Sequence, residues 1–287
     1  MKKTTFIIRD IEPGDIVEAM KLSNAEGWNQ TEMDWNLLIE KPQNACILAE
    51  YGKKIIGTTT AINYSNRIAW IGMVLVDKDY RGQGIAKSLL KNILEQSASC
   101  KSVKLDATDE GLGVYRKFDF RDEYLIARMV TTSMKNLPSA DDDLLPEPIQ
   151  SKHIEEIIAF DEFVFGAKRA RLIESLVREY PHKGWLIIRN SSIEGFALGR
   201  EGTKYSQIGP VVASTTADSK ILITKALSKL SGQPIVIDVL NDKEELIDWL
   251  NSIGFVRQRQ FVRMYKKENP FPGTLHKQFL ICGPEFG

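Results

Sequence analysis

The apolar and polar positions of the chain fall into short blocks, and the clearest block lies between residues 71 and 94. Residues 71–76 are apolar and rich in β-branched side chains, which predicts a buried strand. Charge interrupts the pattern at 77–80, and Arg81-Gly82-Gln83-Gly84-Ile85-Ala86 follows with very little side chain over its backbone. Ala86, Leu89, Leu90, Ile93 and Leu94 then recur at helical spacing. Strand, glycine loop and helix are predicted in that order.

The flanking chain supplies further elements. Residues 6–9 read as a strand, and 14–24 as a helix behind a Pro13-Gly14 start. A second helix follows Thr31, a good cap, and carries Trp35, Leu38 and Ile39. Strands at 45–50 and 54–64 are joined by Tyr51-Gly52-Lys53, a hairpin signal. Beyond the central block come a strand at 103–107, a short helix at 109–117 and a strand at 120–130. The predicted order is β-α-α-β-β-β-α-β-α-β.

A glycine loop that opens a helix points unpaired N–H groups at whatever lies above it and favours an anion. Each charge-assisted hydrogen bond is worth about 1.5–3 kcal/mol, so a few could hold a diphosphate. The P-loop pattern fails, because Arg81 and Ala86 stand where it needs glycines. The dinucleotide fingerprint fails at Lys87. What remains, Arg81, Gly84 and Ala86 in R/Q-x-x-G-x-G/A, resembles the phosphate loop of the GNAT acetyltransferase superfamily, and the element order is the GNAT order. Tyr115 and Phe120 resemble the family's Tyr-x-x-x-Gly-Phe, with Asp119 in the glycine position.

The resemblance implies an α/β mixed sheet flanked by helices and acetyl-CoA as co-substrate, with no metal. It puts the coenzyme against the strand backbone at Val74, Leu75 and Val76. The diphosphate would meet the loop from Arg81 through Gly82, Gln83 and Gly84 to Ile85, Ala86 and Lys87. In the family this strand parts from the next one, here 103–107, and the pantetheine arm lies in the opening.

Residues 135–148, with three prolines and the acidic run 141–143, read as an exposed linker. Beyond it the chain repeats its own punctuation. Gly57 and Gly72 are answered by Gly195 and Gly209, Leu105-Asp106 by Ile237-Asp238, and Arg128-Met129 by Arg263-Met264. From Gly72 to Asp106 is 34 residues, and from Gly209 to Asp238 only 29. The shortfall falls where the phosphate loop should be, and Ser214, Thr215, Thr216 and Ala217 replace it without a glycine. The expected architecture is two tandem GNAT folds: 1–135 with the coenzyme site, a linker at 136–148, and a degenerate copy at 149–287.

Composition narrows the partners. Lysine plus arginine equals aspartate plus glutamate at 38 each, which removes the broad electrostatic case for nucleic acid or an anionic membrane. No apolar run reaches the ~18 residues of a membrane span and no apolar signal segment follows Lys2-Lys3, so a cytoplasmic protein is expected. Cys46, Cys100 and Cys282, like His153, His182 and His276, are scattered and predict packed side chains rather than a metal site.

Direct acyl transfer needs a neutral amine, a donor for the oxyanion and a proton for the leaving thiolate. Backbone at 73–76 could supply the donor, and Tyr115 is the candidate acid, with packing between helix and sheet as its other reading. No carboxylate stands on the central strand, where several relatives carry their base. Glu26, Glu32 and Asp34 could reach the cleft from the helix pair, and Trp28 and Trp70 could line an acceptor pocket, although surface acids and core aromatics have the same signature. The second half could act as a wall, a lid or a homodimer surface. The expected activity is N-acetylation of a primary amine of a small molecule or peptide. The alternative is a non-catalytic acyl-CoA-binding or sensing protein.

Overall fold

The computed structural model describes residues 5–40, 44–134, 146–230 and 232–287. Most of the predicted linker, 136–145, lies outside the described residues, and Glu147–Pro148 already pairs with the second half as an edge strand.

The first half runs β1 (Ile7–Asp10), α1 (Ile16–Ala25), α2 (Glu32–Leu38), β2 (Ala45–Tyr51), β3 (Lys54–Tyr64), β4 (Ile68–Val76), α3 (Ile85–Gln96), β5 (Ser102–Ala107), α4 (Asp109–Arg116) and β6 (Arg121–Thr131). The second runs β7 (Glu147–Pro148), α5 (Ile154–Phe165), α6 (Ala170–Glu179), β8 (Trp185–Arg189), β9 (Ser192–Arg200), β10 (Ser206–Ala213), α7 (Thr216–Ser228), β11 (Ile235–Leu240), α8 (Glu244–Ser252) and β12 (Val256–Lys267). One further strand, β13 (Gln278–Leu280), has no counterpart among the described residues of the first half.

Local chemistry sets the element ends. Thr31 caps α2 through a reciprocal box in which its Oγ1 accepts from the Asp34 amide and its own amide donates to the Asp34 carboxylate. Gly84 opens α3 at φ +85°. Asp119, in the glycine position of the tyrosine motif, takes φ +63°, a left-handed conformation that aspartate tolerates better than most residues.

The sheet order is β1-β2-β3-β4-β5-β12-β6-β11-β13-β10-β9-β8-β7. The halves therefore exchange strands, which their repeated punctuation alone does not predict. β12 lies between β5 and β6, and β6 lies between β12 and β11, so each half's last long strand hydrogen-bonds to the other half. The echoed residues meet across this exchange. Arg263 grips Asp106 bidentately at 2.8 Å on both arms, and Arg128 grips Asp238 in the same way.

On one face of the sheet α1, α2, α5 and α6 share a continuous core containing Trp35, Trp70, Phe165 and Phe196. On the other face α3 and α4 cover the first half and α7 and α8 the second, over separate cores.

Candidate active site

The parallel pairing of β4 with β5 runs from Ile68↔Ser102 to Ile71↔Leu105 and stops there. Just beyond, β4 bulges: Thr60 pairs with Gly72 but Thr58 with Leu75, and Met73 takes φ +50°. One edge of β4 is thereby turned into an opening without a strand partner. A cavity of about 740 Å³ fills the opening and reaches the glycine loop.

The loop meets the electrostatic requirements of an anion site. Gly82 and Gly84 have positive φ and open space where a Cβ would stand, so a ligand can lie directly on their backbone. The first helical hydrogen bond of α3 is Ser88 N to Gly84 O, which leaves the preceding amides pointing outward. Arg81 stands at the mouth, its Nη2 2.6 Å from Glu26 Oε1 and its Nε on the Val76 carbonyl. Of the residues the resemblance assigns to the coenzyme, Val74, Leu75, Val76, Arg81, Gly82, Gly84, Ile85, Ala86 and Lys87 line the cavity, and Gln83 does not. These residues fit a coenzyme diphosphate and pantetheine arm.

Tyr115 lines the same cavity, packed edge-on against Phe120, and burial raises its phenol above the ordinary value, so it stays protonated across the physiological range. The other sequence candidates divide. Trp28 lines the cavity. Glu26 also lines it, but at the phosphate end, paired with Arg81 and near Lys78. Asp34 does not reach the cavity; it caps α2 and pairs with Arg200 at 2.8 Å. Glu32 is exposed on α2. Trp70 is a correction as well: it is fully buried, its Nε1 donates to the Pro284 carbonyl, and its ring stacks under Arg263. Its ring belongs to the core shared by α1, α2, α5 and α6, and Ile71 and Gly72 line the opening instead.

The remaining wall comes from the second half and was not identified from sequence. Residues 281–287 cross the sheet to the first half, where Tyr64 donates to the Phe286 carbonyl and Trp70 to the Pro284 carbonyl, while the second half's own Arg169 donates to the Gly287 carbonyl. Glu285 lies against Gly72 so closely that a Cβ there would come within 3.1 Å of its Cα. Pro284, Glu285 and Arg259 of the second half line the cavity beside Arg128 and Gln30 of the first. The loop bearing Gln30 is held by the second half too, through the Asn29 side chain, which accepts from the Lys204 and Tyr205 amides. The available signal was the glycine at position 72 of a strand with otherwise large residues, a mark of close backbone approach.

The second half has the same opening with a different content. β10 and β11 pair in parallel from Ser206↔Ile235 to Ile208↔Ile237 and then part. β13 lies in the gap, bonded to β10 at Val211 and Val212 and to β11 at Val239. At the start of α7 the Thr215 hydroxyl accepts from the Asp218 amide, and the Asp218 carboxylate occupies the first turn, where a phosphate would otherwise sit.

Two family models match, one per half: "Acetyltransferase (GNAT) family" over residues 15–120 and "Acetyltransferase (GNAT) domain" over 157–280. The chain belongs to the GNAT acetyltransferase superfamily. Holothin acyltransferase of a Pseudoalteromonas strain is 25% identical over 264 residues, 92% of this chain and 88% of that protein. The uncharacterised N-acetyltransferase YitH of Bacillus subtilis is 25% identical over 207 residues, 71% and 72% of the two chains. A Pyrococcus horikoshii structure provisionally assigned as an acetyltransferase superposes with TM-score 0.81 at 23% identity, covering 100% of this chain and 97% of that one. A tandem GNAT protein from the clavulanic acid pathway gives 0.64 at 11% identity, covering 91% and 98%. One GNAT model thus matches in each half of the chain, and the superposed folds run along nearly all of it. Among the described residues no helix is long and apolar enough to cross a membrane, and no cluster of metal-ligating side chains occurs.

Proposed function

We propose that this chain is an acetyl-CoA-dependent N-acetyltransferase with a single active site, in the first half, which passes the acetyl group directly to a primary amine. The observation that carries the reading is the asymmetry of the two openings: one is a cavity floored by a glycine loop, and the other is filled by β13. The diphosphate lies on the amides of residues 82–87, and the thioester reaches the unpaired edge of β4 beyond Ile71. The amine attacks the thioester carbon while β4 backbone N–H groups stabilise the oxyanion, and Tyr115 protonates the departing thiolate. Burial keeps the Tyr115 phenol protonated, as a proton donor must be, though the same raised pKa makes it a weaker acid. The acceptor is a small molecule or a peptide amine, and the relative named for acylating holothin supports a small molecule.

Calorimetric titration of acetyl-CoA tests this reading. One equivalent should bind, and Gly84→Glu and Ala86→Glu should each weaken binding at least ~10-fold by placing a carboxylate under the diphosphate; Ala86 controls for backbone strain at Gly84. Tyr115→Phe should keep that affinity and lower the limiting rate of thiol release ~10–100-fold. Two equivalents would mean that the second half is live. Binding without thiol release in the presence of amines would make the protein an acyl-CoA sensor.

A further inference from the structure

The cavity wall carries a guanidinium without a counter-ion among the described residues. Most charges on the wall pair off: Arg81 with Glu26, Asp106 with Arg263, Arg128 with Asp238 and Glu285 with Arg200. Lys87 belongs to the glycine loop, and Asp109 and Glu110 stand in the first turn of α4, where a helix N-terminus favours acids. Arg259 remains. It is half-buried and has no hydrogen bond or ion pair among the described residues. Glu110 feels it only through space and is held below the usual carboxylate range chiefly by its own amide and the Thr108 hydroxyl. A bulge puts Arg259 there. β12 meets β6 at Val256↔Val130 and Arg257↔Met129, so a regular register would set the neutral Gln258 opposite Arg128; instead the register shifts and Arg259 takes that position. Like charges directly opposite across two strands are destabilising, and Asp238 compensates Arg128 alone. The bulge thus adds positive charge to the cavity wall at a cost that an incoming anion would offset.

The position of Arg259 separates it from the coenzyme's phosphates. Arg259, Phe261 and Arg263 alternate onto one face of β12, and Arg263 lies over Trp70 in the core shared by α1, α2, α5 and α6. The glycine loop opens α3, which covers the other face. β5 alone separates β4 from β12, so Arg259 lies about two strand spacings, roughly 10 Å, to the side of the β4 edge where the thioester reacts. We propose that Arg259 binds a carboxylate of the acceptor, so that the amine to be acetylated belongs to a short amino acid-like molecule whose two charged groups span the opening. This rests on acetyl transfer in the first half and narrows its acceptor. One guanidinium without a counter-ion matches one monoanion, and its planar fork holds a carboxylate through two parallel N–H donors.

The test titrates ω-amino carboxylates from glycine to 6-aminohexanoate, and n-alkylamines of matching length, by NMR into the full chain with and without saturating coenzyme A. The wild type should bind at least one amino carboxylate ~10-fold or more tightly than its matching alkylamine. Arg259→Gln should abolish the preference with acetyl-CoA affinity unchanged, and Arg259→Lys should keep part of it. Arg259→Glu should reverse it in favour of the alkylamine. In thiol release from acetyl-CoA, Arg259→Gln should raise KM for the preferred amino carboxylate ~10-fold or more and leave kcat within ~2-fold, since the carboxylate is held alike in the ground and transition states. A wild type without the preference, as a merely solvated arginine would give, or a preference that survives in Arg259→Gln, overturns the proposal. A fall in acetyl-CoA affinity in Arg259→Gln assigns the residue to the coenzyme and overturns it too. Failure of the wild type to bind acetyl-CoA would remove the transferase reading, while the carboxylate preference measured without coenzyme would still decide the Arg259 site.

Discussion

Arg81 is shared between two tasks, and its partner Glu26 shows which end of the cavity each serves. The pair is half exposed on the arginine side, so its net worth is at most ~1 kcal/mol. A coenzyme diphosphate would compete with Glu26 for the same guanidinium. Glu26→Gln is therefore expected to tighten acetyl-CoA binding ~2–5-fold at low salt, with the gain shrinking as salt rises and the limiting rate unchanged. Affinity and rate measured at two ionic strengths check this. A fall in limiting rate would return Glu26 to the acceptor side. Single residues also show where sequence reading stops. The loop from Arg81 to Lys87 was legible because its function depends on local backbone. Glu285 was not, because Trp70 and Pro284 are 214 positions apart and no periodicity links them. Asp34 and Trp70 carry the right chemistry in the right segment, but their side chains point to the sheet's other surroundings.

At the scale of elements, order and span in the first half were readable from alternation, helical spacing and caps; β4 starts three residues earlier, at Ile68, than its apolar run suggested. The partners of β6 and β12 were not readable. Each half carries the same arginine on its last long strand and the same aspartate on the strand before its last helix, so pairing within a half and pairing across halves satisfy one local pattern. The exchange buries both ion pairs in the middle of the sheet, where an uncompensated charge is costly. Arg263→Met, which strands Asp106, should lower unfolding free energy by ~3–5 kcal/mol, and the double substitution Arg263→Met with Asp106→Leu should lose clearly less than the sum of the singles. Denaturant titration of the four proteins closes the cycle. Additive losses would mean that the pair is uncoupled and that Arg263 acts through its packing on Trp70 and Tyr124.

For the whole molecule, the exchange makes two sequence repeats into one folding unit. Without the second half β5 has no β12 beside it, and β6 loses both neighbours, β12 and β11. The unpaired edge would include Ser102–Ala107, whose residues are all buried or nearly so in the intact sheet. The active site loses as much, because Pro284, Glu285 and Arg259 come from the second half and Asn29 is held by it. Residues 1–134 expressed alone should therefore aggregate or bind no acetyl-CoA. The same piece co-expressed with residues 146–287 should give a soluble complex that binds one equivalent, because the strand pairing needs both pieces and no covalent bond between them. Size-exclusion chromatography followed by calorimetry distinguishes these results. A soluble, coenzyme-binding 1–134 would show that the first half closes its own sheet, and the second half would then be an accessory to the acceptor side alone.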